Sequence, residues 1–236
     1  MTAAWAITKR EIRTYFNSPV AYIVATVYML LAGYFFFSGL FLEKQAEMRG
    51  YFGLTPIFFC FIVPAITMRL LAEEKGSGTL EMLITMPVRD WEVVVGKFLA
   101  ALALMATVIG ATLVYAFTVA SVGDLDTGPA IAGYLAMLLM SAAYAAIGVM
   151  ASAFTRNQIV AFIVAFGISF ALFIFGSIVP LAPQSLQPLL AWLAIGEHMQ
   201  SMARGVVDTR DVLYYLSIIA VSLVVASVTL ESRKWR

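Results

Sequence analysis

"PVAYIVATVYMLLAGYFFFSGLFL", Pro19 to Leu42, runs its whole length without an Asp, Glu, Lys or Arg. A spanning helix needs about 20 mostly apolar residues, and this run is long enough to be one. Outward from it, similar runs recur at 51–71, 93–120, 130–154, 159–181 and 212–230. Lipid offers no partner for backbone N–H and C=O groups, so continuous apolar runs cross it as α-helices. The strict alternation of a membrane β-barrel strand is absent. The expectation is an all-α polytopic membrane protein with six transmembrane helices, a single domain over 1–236.

Composition points the same way. The 236 residues are 62% hydrophobic and 12% charged, and the mean hydropathy is +0.91. A soluble domain is about 45–50% apolar and about 25% charged. Net charge is +1, which gives no electrostatic case for nucleic acid. The one cysteine, Cys60, cannot form an intrachain disulfide. The first sixteen residues hold Lys9, Arg10, Glu11 and Arg13 and no apolar core, so the first span reads as retained and not as a cleaved signal.

Basic residues accumulate on the cytoplasmic side of membrane proteins. Of the 15 Lys and Arg, all but Lys44, Arg49, Arg204 and Arg210 fall on the side that holds both termini. Both termini are therefore expected in the cytoplasm, as is the segment between spans two and three. The expected location is a bacterial cytoplasmic (inner) membrane.

Residues 1–17 form a separate element. At 100° per residue, Trp5, Ile12, Tyr15 and Phe16 share about one third of a helical wheel, while Arg10 and Arg13 point elsewhere. That pattern suits a helix in the membrane interface, with aromatics at the acyl boundary and arginines at the headgroups. A plain polar lead-in to span one is the alternative. Asn17-Ser18-Pro19 ends the element.

The link between spans two and three is "LLAEEKGSGTLEMLITMPVRDWEVVVGK", Leu70 to Lys97. Its Gly76-Ser77-Gly78-Thr79 lacks the lysine of a phosphate-binding loop and follows no strand, so no nucleotide site is expected in this chain. Gly78 reads instead as an N-cap, with Glu81 in the first turn where a negative charge suits the helix dipole. Leu80, Leu83 and Ile84 form an apolar stripe, and Pro87 ends it. A second short helix is expected from Asp90. A striped helix outside the membrane needs a covering surface, either a partner or its own neighbours. Lys97 reads as snorkelling to the inner interface.

The run E-E-K-x-x-G-T-L-E-x-L-x-T-x-P-V-x-x-x-E-x-V-x-G-K, Glu73 to Lys97, resembles the signature of ABC-2-type transporter permeases. The six-span plan with an amphipathic N-terminal helix is similar too, over essentially the whole chain. "SMARGVVDTRDVLYYLS", Ser201 to Ser217, further resembles the gliding-motility-associated subgroup. The resemblance implies a non-catalytic membrane subunit that pairs with a second permease chain, the same or different, above a dimer of ABC ATPase subunits. ATP and Mg would be bound by that ATPase and no cofactor by this chain. Within a cytoplasmic coupling segment, 72–92, the ATPase contacts would be Glu73, Glu74, Gly78, Thr79, Leu80, Glu81, Leu83, Ile84 and Pro87. Arg156, in the other inner loop, would add a second contact. Trp5, Arg10, Ile12, Arg13 and Phe16 would meet membrane lipid. Export of a hydrophobic or amphipathic substrate is one function this implies. Force transmission to an extracytoplasmic accessory protein is the other.

The outer link 182–211 is moderately apolar and resembles the family's re-entrant helix pair, either a gate or packing for the outer span ends. His198 beside Glu197 reads as a partly buried polar pair, too few ligands for zinc and no pH sensor. Small residues in span four (Gly133, Ser141, Ala142, Ala143, Ala145, Ala146, Gly148) permit close helix approach, inside the chain or between permeases. Pro56 and Pro64 are candidate kinks in span two.

Overall fold

The computed structural model describes residues 3–42, 47–79, 88–123 and 125–232. Among these, 88% are helical and none lies in a strand. Helices long and apolar enough to cross a membrane occupy Pro19–Phe41, Arg49–Ser77, Asp90–Val122, Thr127–Phe154, Gln158–Leu181 and Thr209–Glu231. The expected all-α, six-span plan is therefore present.

The chain opens with α1 (Ala3–Asn17) and span one, α2 (Pro19–Leu42). Span two is α3 (Arg49–Thr67) followed by α4 (Arg69–Ser77), and span three is α5 (Asp90–Ala111) followed by α6 (Leu113–Val122). Span four is α7 (Thr127–Phe154) and span five is α8 (Gln158–Ile178). The outer link folds as α9 (Gln187–Leu193) and α10 (Ile195–Ala203), and span six is α11 (Thr209–Glu231).

Span four is the hub. Its apolar window is 78% buried, against 28%, 17% and 22% for spans one, five and six. Its small residues explain this. A Cβ at Gly133 would run into the Phe52 ring, and one at Gly148 into Oγ1 of Thr67. Ser141, Ala142, Ala143, Ala145 and Ala146 are also buried within the chain. The stripe therefore serves internal packing against spans two and six, where backbones approach closely because no side chain intervenes.

Span two stays helical through Pro56 and Pro64, and its break comes at Met68, one turn beyond Pro64. Proline removes a backbone donor and crowds the preceding turn. Span four covers the break. Ser152 Oγ accepts from the Leu71 and Ala72 N–H groups, each at 2.9 Å, and donates to the Met68 carbonyl at 2.9 Å.

Gly78 closes α4 as its C-cap in the left-handed region, φ 75°, a conformation that costs glycine little. The helix that Gly78 is expected to open runs into 80–87, which lie outside the described residues. One sequence expectation changes here: the helix from Asp90 is not a separate short one, because Asp90–Ala111 is one helix continuous with span three. Glu92 fixes its start by accepting from the Arg89 N–H at 3.1 Å.

Candidate transmission site at the N-terminal helix

The segment expected to couple this chain to a partner leaves span two through α4. Of its expected contact residues, Leu80, Glu81, Leu83, Ile84 and Pro87 lie outside the described residues. Glu73 and Thr79 are exposed, and the Thr79 hydroxyl sits 2.9 Å from that of Ser77. Arg156 is exposed at the end of span four, and its carbonyl would lie 3.0 Å from a Cβ on Gly76. Lys75 is buried and donates to the Ala153 carbonyl. The α4 helix is thus bolted to the last turn of span four through Ser152, Ala153 and Arg156.

Glu74 faces the other way, toward the protein. The α1 helix lies along the start of span three, burying Ala4, Ile7, Thr8 and Tyr15. These positions recur at helical spacing, so they form one face. Gly96 permits the contact, since a Cβ there would fall 2.8 Å from the Ala4 carbonyl and 3.0 Å from Ile7 Cγ2. The Thr8 hydroxyl bridges the two helices, 2.9 Å from the Ala4 carbonyl and 3.0 Å from that of Gly96. The next residue, Lys97, then enters the seam among α1, α4 and α5. Its side chain is 1% exposed. Nζ sits 2.8 Å from Glu74 Oε1 and 3.2 Å from Glu11 Oε1. Arg10 approaches the same two carboxylates from outside, at 2.9 Å from Glu11 and 3.1 Å from Glu74.

Lys97 therefore does not snorkel. A lysine reaches for water only when nothing inside satisfies it, and here two carboxylates do. Burial by itself would raise the Glu11 carboxyl. Lys97 and Arg10 outweigh that and hold it below its ordinary value. The Arg10 guanidinium moves upward through its bond to Glu11. A polar cleft of about 390 Å³ opens beside this cluster, edged by Thr14, Arg69, Glu73 and Ser77.

Tyr15 also departs from the sequence reading. It is 2% exposed, with Arg69 stacked over its ring at 5.3 Å and its hydroxyl 3.4 Å from the Ile66 carbonyl. Trp5 is 52% exposed. Arg10 and Arg13 are exposed, and Ile12 and Phe16 are half-buried against the core. The single-residue offset between Tyr15 and Phe16 decides which aromatic seals the protein.

At the opposite end of the bundle, His198 bonds to Asp211 and not to Glu197. His198 Nδ1 is 2.7 Å from Asp211 Oδ1, while Glu197 is exposed. Among the described residues no three His, Cys, Asp or Glu side chains converge on one point.

A continuous bundle of long apolar helices, with an amphipathic helix clamped across the start of span three, defines a polytopic membrane protein. The sequence model of the ABC-2 family transporter proteins matches residues 1–235, and the chain belongs to that family. Its members are membrane permeases, so this chain is a membrane subunit of an ABC transporter. A search of curated proteins finds no match.

Proposed function

We propose that this chain couples ATP hydrolysis by a separate ATPase subunit to export of a hydrophobic or amphipathic substrate across a bacterial cytoplasmic membrane. The observation that carries the export reading is a groove along span one. It has a volume of about 880 Å³ and is lined mainly by Met29, Leu30, Tyr34, Phe37, Phe41 and Tyr115. Gly33 lets the Tyr115 hydroxyl approach and donate to the Met29 carbonyl at 2.7 Å. The groove is thus aromatic, with the Tyr115 phenol already satisfied. Such a surface suits an apolar ligand body with few polar contacts.

Coupling to the ATPase rests on the resemblance of the Glu73–Lys97 run and on the rigidity around it. The segment 80–87 would dock on the ATPase, with Glu73, Thr79 and Arg156 exposed nearby. Glu74 would act inside the chain, through Lys97. Both termini would lie in the cytoplasm, and a second permease chain would complete the pathway. ATP and Mg would belong to the partner.

In proteoliposomes holding the complete complex, amphipathic compounds are expected to stimulate ATP hydrolysis several-fold. Phe37→Asp should abolish the stimulation and leave basal hydrolysis intact. Stimulation that survives Phe37→Asp unchanged would remove the groove from the account.

Force transmission to an extracytoplasmic partner is a second reading. It is favoured by the exposed apolar side chains of the outer link, Leu186, Leu189, Trp192, Val206 and Val207, and by the resemblance of Ser201–Ser217 to gliding-associated permeases. Hydrolysis indifferent to every amphipathic compound but dependent on an outer partner protein would favour it.

A further inference from the structure

The chain has one histidine, and it is 8% exposed. Both of its ring nitrogens face acceptors. Nδ1 is 2.7 Å from Asp211 Oδ1 in the first turn of span six, and Nε2 is 3.0 Å from the Trp192 carbonyl. A neutral imidazole has a single N–H, so it can serve only one of them. Satisfying both takes one more proton, held on the ring or on the carboxylate between them. Without that proton, the single N–H goes to the carboxylate from Nδ1, and the Nε2 lone pair confronts the Trp192 carbonyl at hydrogen-bond distance.

The surroundings favour keeping it. Asp211 Oδ2 is buried without a hydrogen-bond partner, so a bare carboxylate there would be poorly solvated. The imidazole stacks on the Tyr214 ring at 3.9 Å and 18°, a face that attracts a cation. It also sits at the carbonyl end of α9, where a positive charge is favoured. The neighbouring carbonyls complete the junction. Tyr214 donates to Leu193 at 2.7 Å, and Tyr215 to Ile195 at 3.3 Å. The side chains of span six and His198 thus hold α9 and α10 by their carbonyls.

We propose that His198 and Asp211 form a buried proton-binding site, and that docking of α9 and α10 onto span six is linked to its occupancy. The titratable groups facing the ring are Asp211, Tyr214 and Tyr215 of span six. Tyr144 of span four lies behind the tyrosines and is fully buried. On its own helix Glu197 is exposed, as are Arg204, Asp208 and Arg210 in the following turn. From span two come Arg49, exposed, with Tyr51 and Cys60, both buried. Span five carries no titratable side chain between Gln158 and Ile178. Docking is supported while the proton is held and weakens once it is lost.

The single histidine makes the test unambiguous. In the full chain labelled with 15N-histidine in lipid nanodiscs, the ring 15N signals are expected to report loss of the shared proton as pH is raised. Amide exchange of 195–203, corrected for intrinsic rates, should accelerate through the same pH range. In Asp211→Asn the amide can donate to neutral Nδ1. Exchange should then stay slow at every pH. A wild-type ring whose 15N signals show no such loss would overturn the proposal. Wild-type exchange that ignores the titration, or that matches Asp211→Asn at all pH values, would overturn it as well.

Discussion

Lys97→Met is expected to destabilise the chain by about 3 kcal/mol, the lower end of what breaking a buried ion pair costs. Methionine keeps most of the lysine's volume, so packing along α1 changes little. What changes is charge. The Glu11 and Glu74 side chains are only 14% and 20% exposed, and they would be left facing each other with Arg10 alone outside. In thermal unfolding of the purified chain this corresponds to a drop of roughly 6–12 °C for a protein of this size. Adding Glu11→Gln and Glu74→Gln to Lys97→Met should recover most of the loss, because a neutral cluster needs no cation. The pH dependence separates this from a packing defect. In the wild type the Glu11 carboxyl is held low, so its contribution is present above about 4.5 and is lost as pH falls through the lower folded value. In Lys97→Met the unpaired carboxylates favour protonation, so mild acid should stabilise the variant. A Lys97→Met protein as stable as wild type would mean that the cluster is ornamental.

Gly148→Leu should be as damaging for a different reason. Even a Cβ at this position meets Thr67 Oγ1, with Thr67 Cβ 2.7 Å away. Thr67 is fully buried, its hydroxyl committed to the Val63 carbonyl at 2.9 Å. Neither helix can give without separating spans two and four just below the Met68 break. Overpacking of this kind costs about 3 kcal/mol, the upper part of its usual range. Gly39→Leu is the control. A Cβ there meets nothing within 4 Å, so its effect should stay within about 0.5 kcal/mol. Loss of monodisperse protein with Gly148→Leu but not with Gly39→Leu is the expected pattern in size-exclusion profiles. Equal behaviour of the two would contradict span four's role as the packing hub.

The fold was legible because membrane-spanning length and apolarity are local properties, readable one segment at a time. Span four's small residues were visible too, but sequence left open whether they packed inside the chain or between chains. Phe52 and Thr67, from a different span, decide that. The charged residues were harder. Glu74 and Lys97 stand 23 positions apart at the two ends of one signature, and each looked sufficient by itself as a surface group. Their pairing at 2.8 Å depends on α1 arriving over Gly96, a contact between residues 88 or more positions apart. A glycine directly before a lysine at the mouth of an apolar run was the available clue. His198 was assigned to its sequence neighbour Glu197 because adjacency was the only guide. On a helix, adjacent residues diverge by about 100°, and the partner came from span six.

The central claim is that the segment following Gly78 is where an ATPase subunit takes hold of this chain. The most direct measurement is co-purification of the tagged chain with its ATPase, with ATP hydrolysis assayed, for wild type and for a Glu81→Lys, Leu83→Asp double variant. Wild type should retain an active ATPase. The double variant should reach the membrane in equal amount and lose the ATPase by at least tenfold, as expected when a charge is placed in an apolar contact and another is reversed at its rim. A double variant that binds and hydrolyses as wild type does would contradict the account, and leave the membrane subunit without its proposed handle.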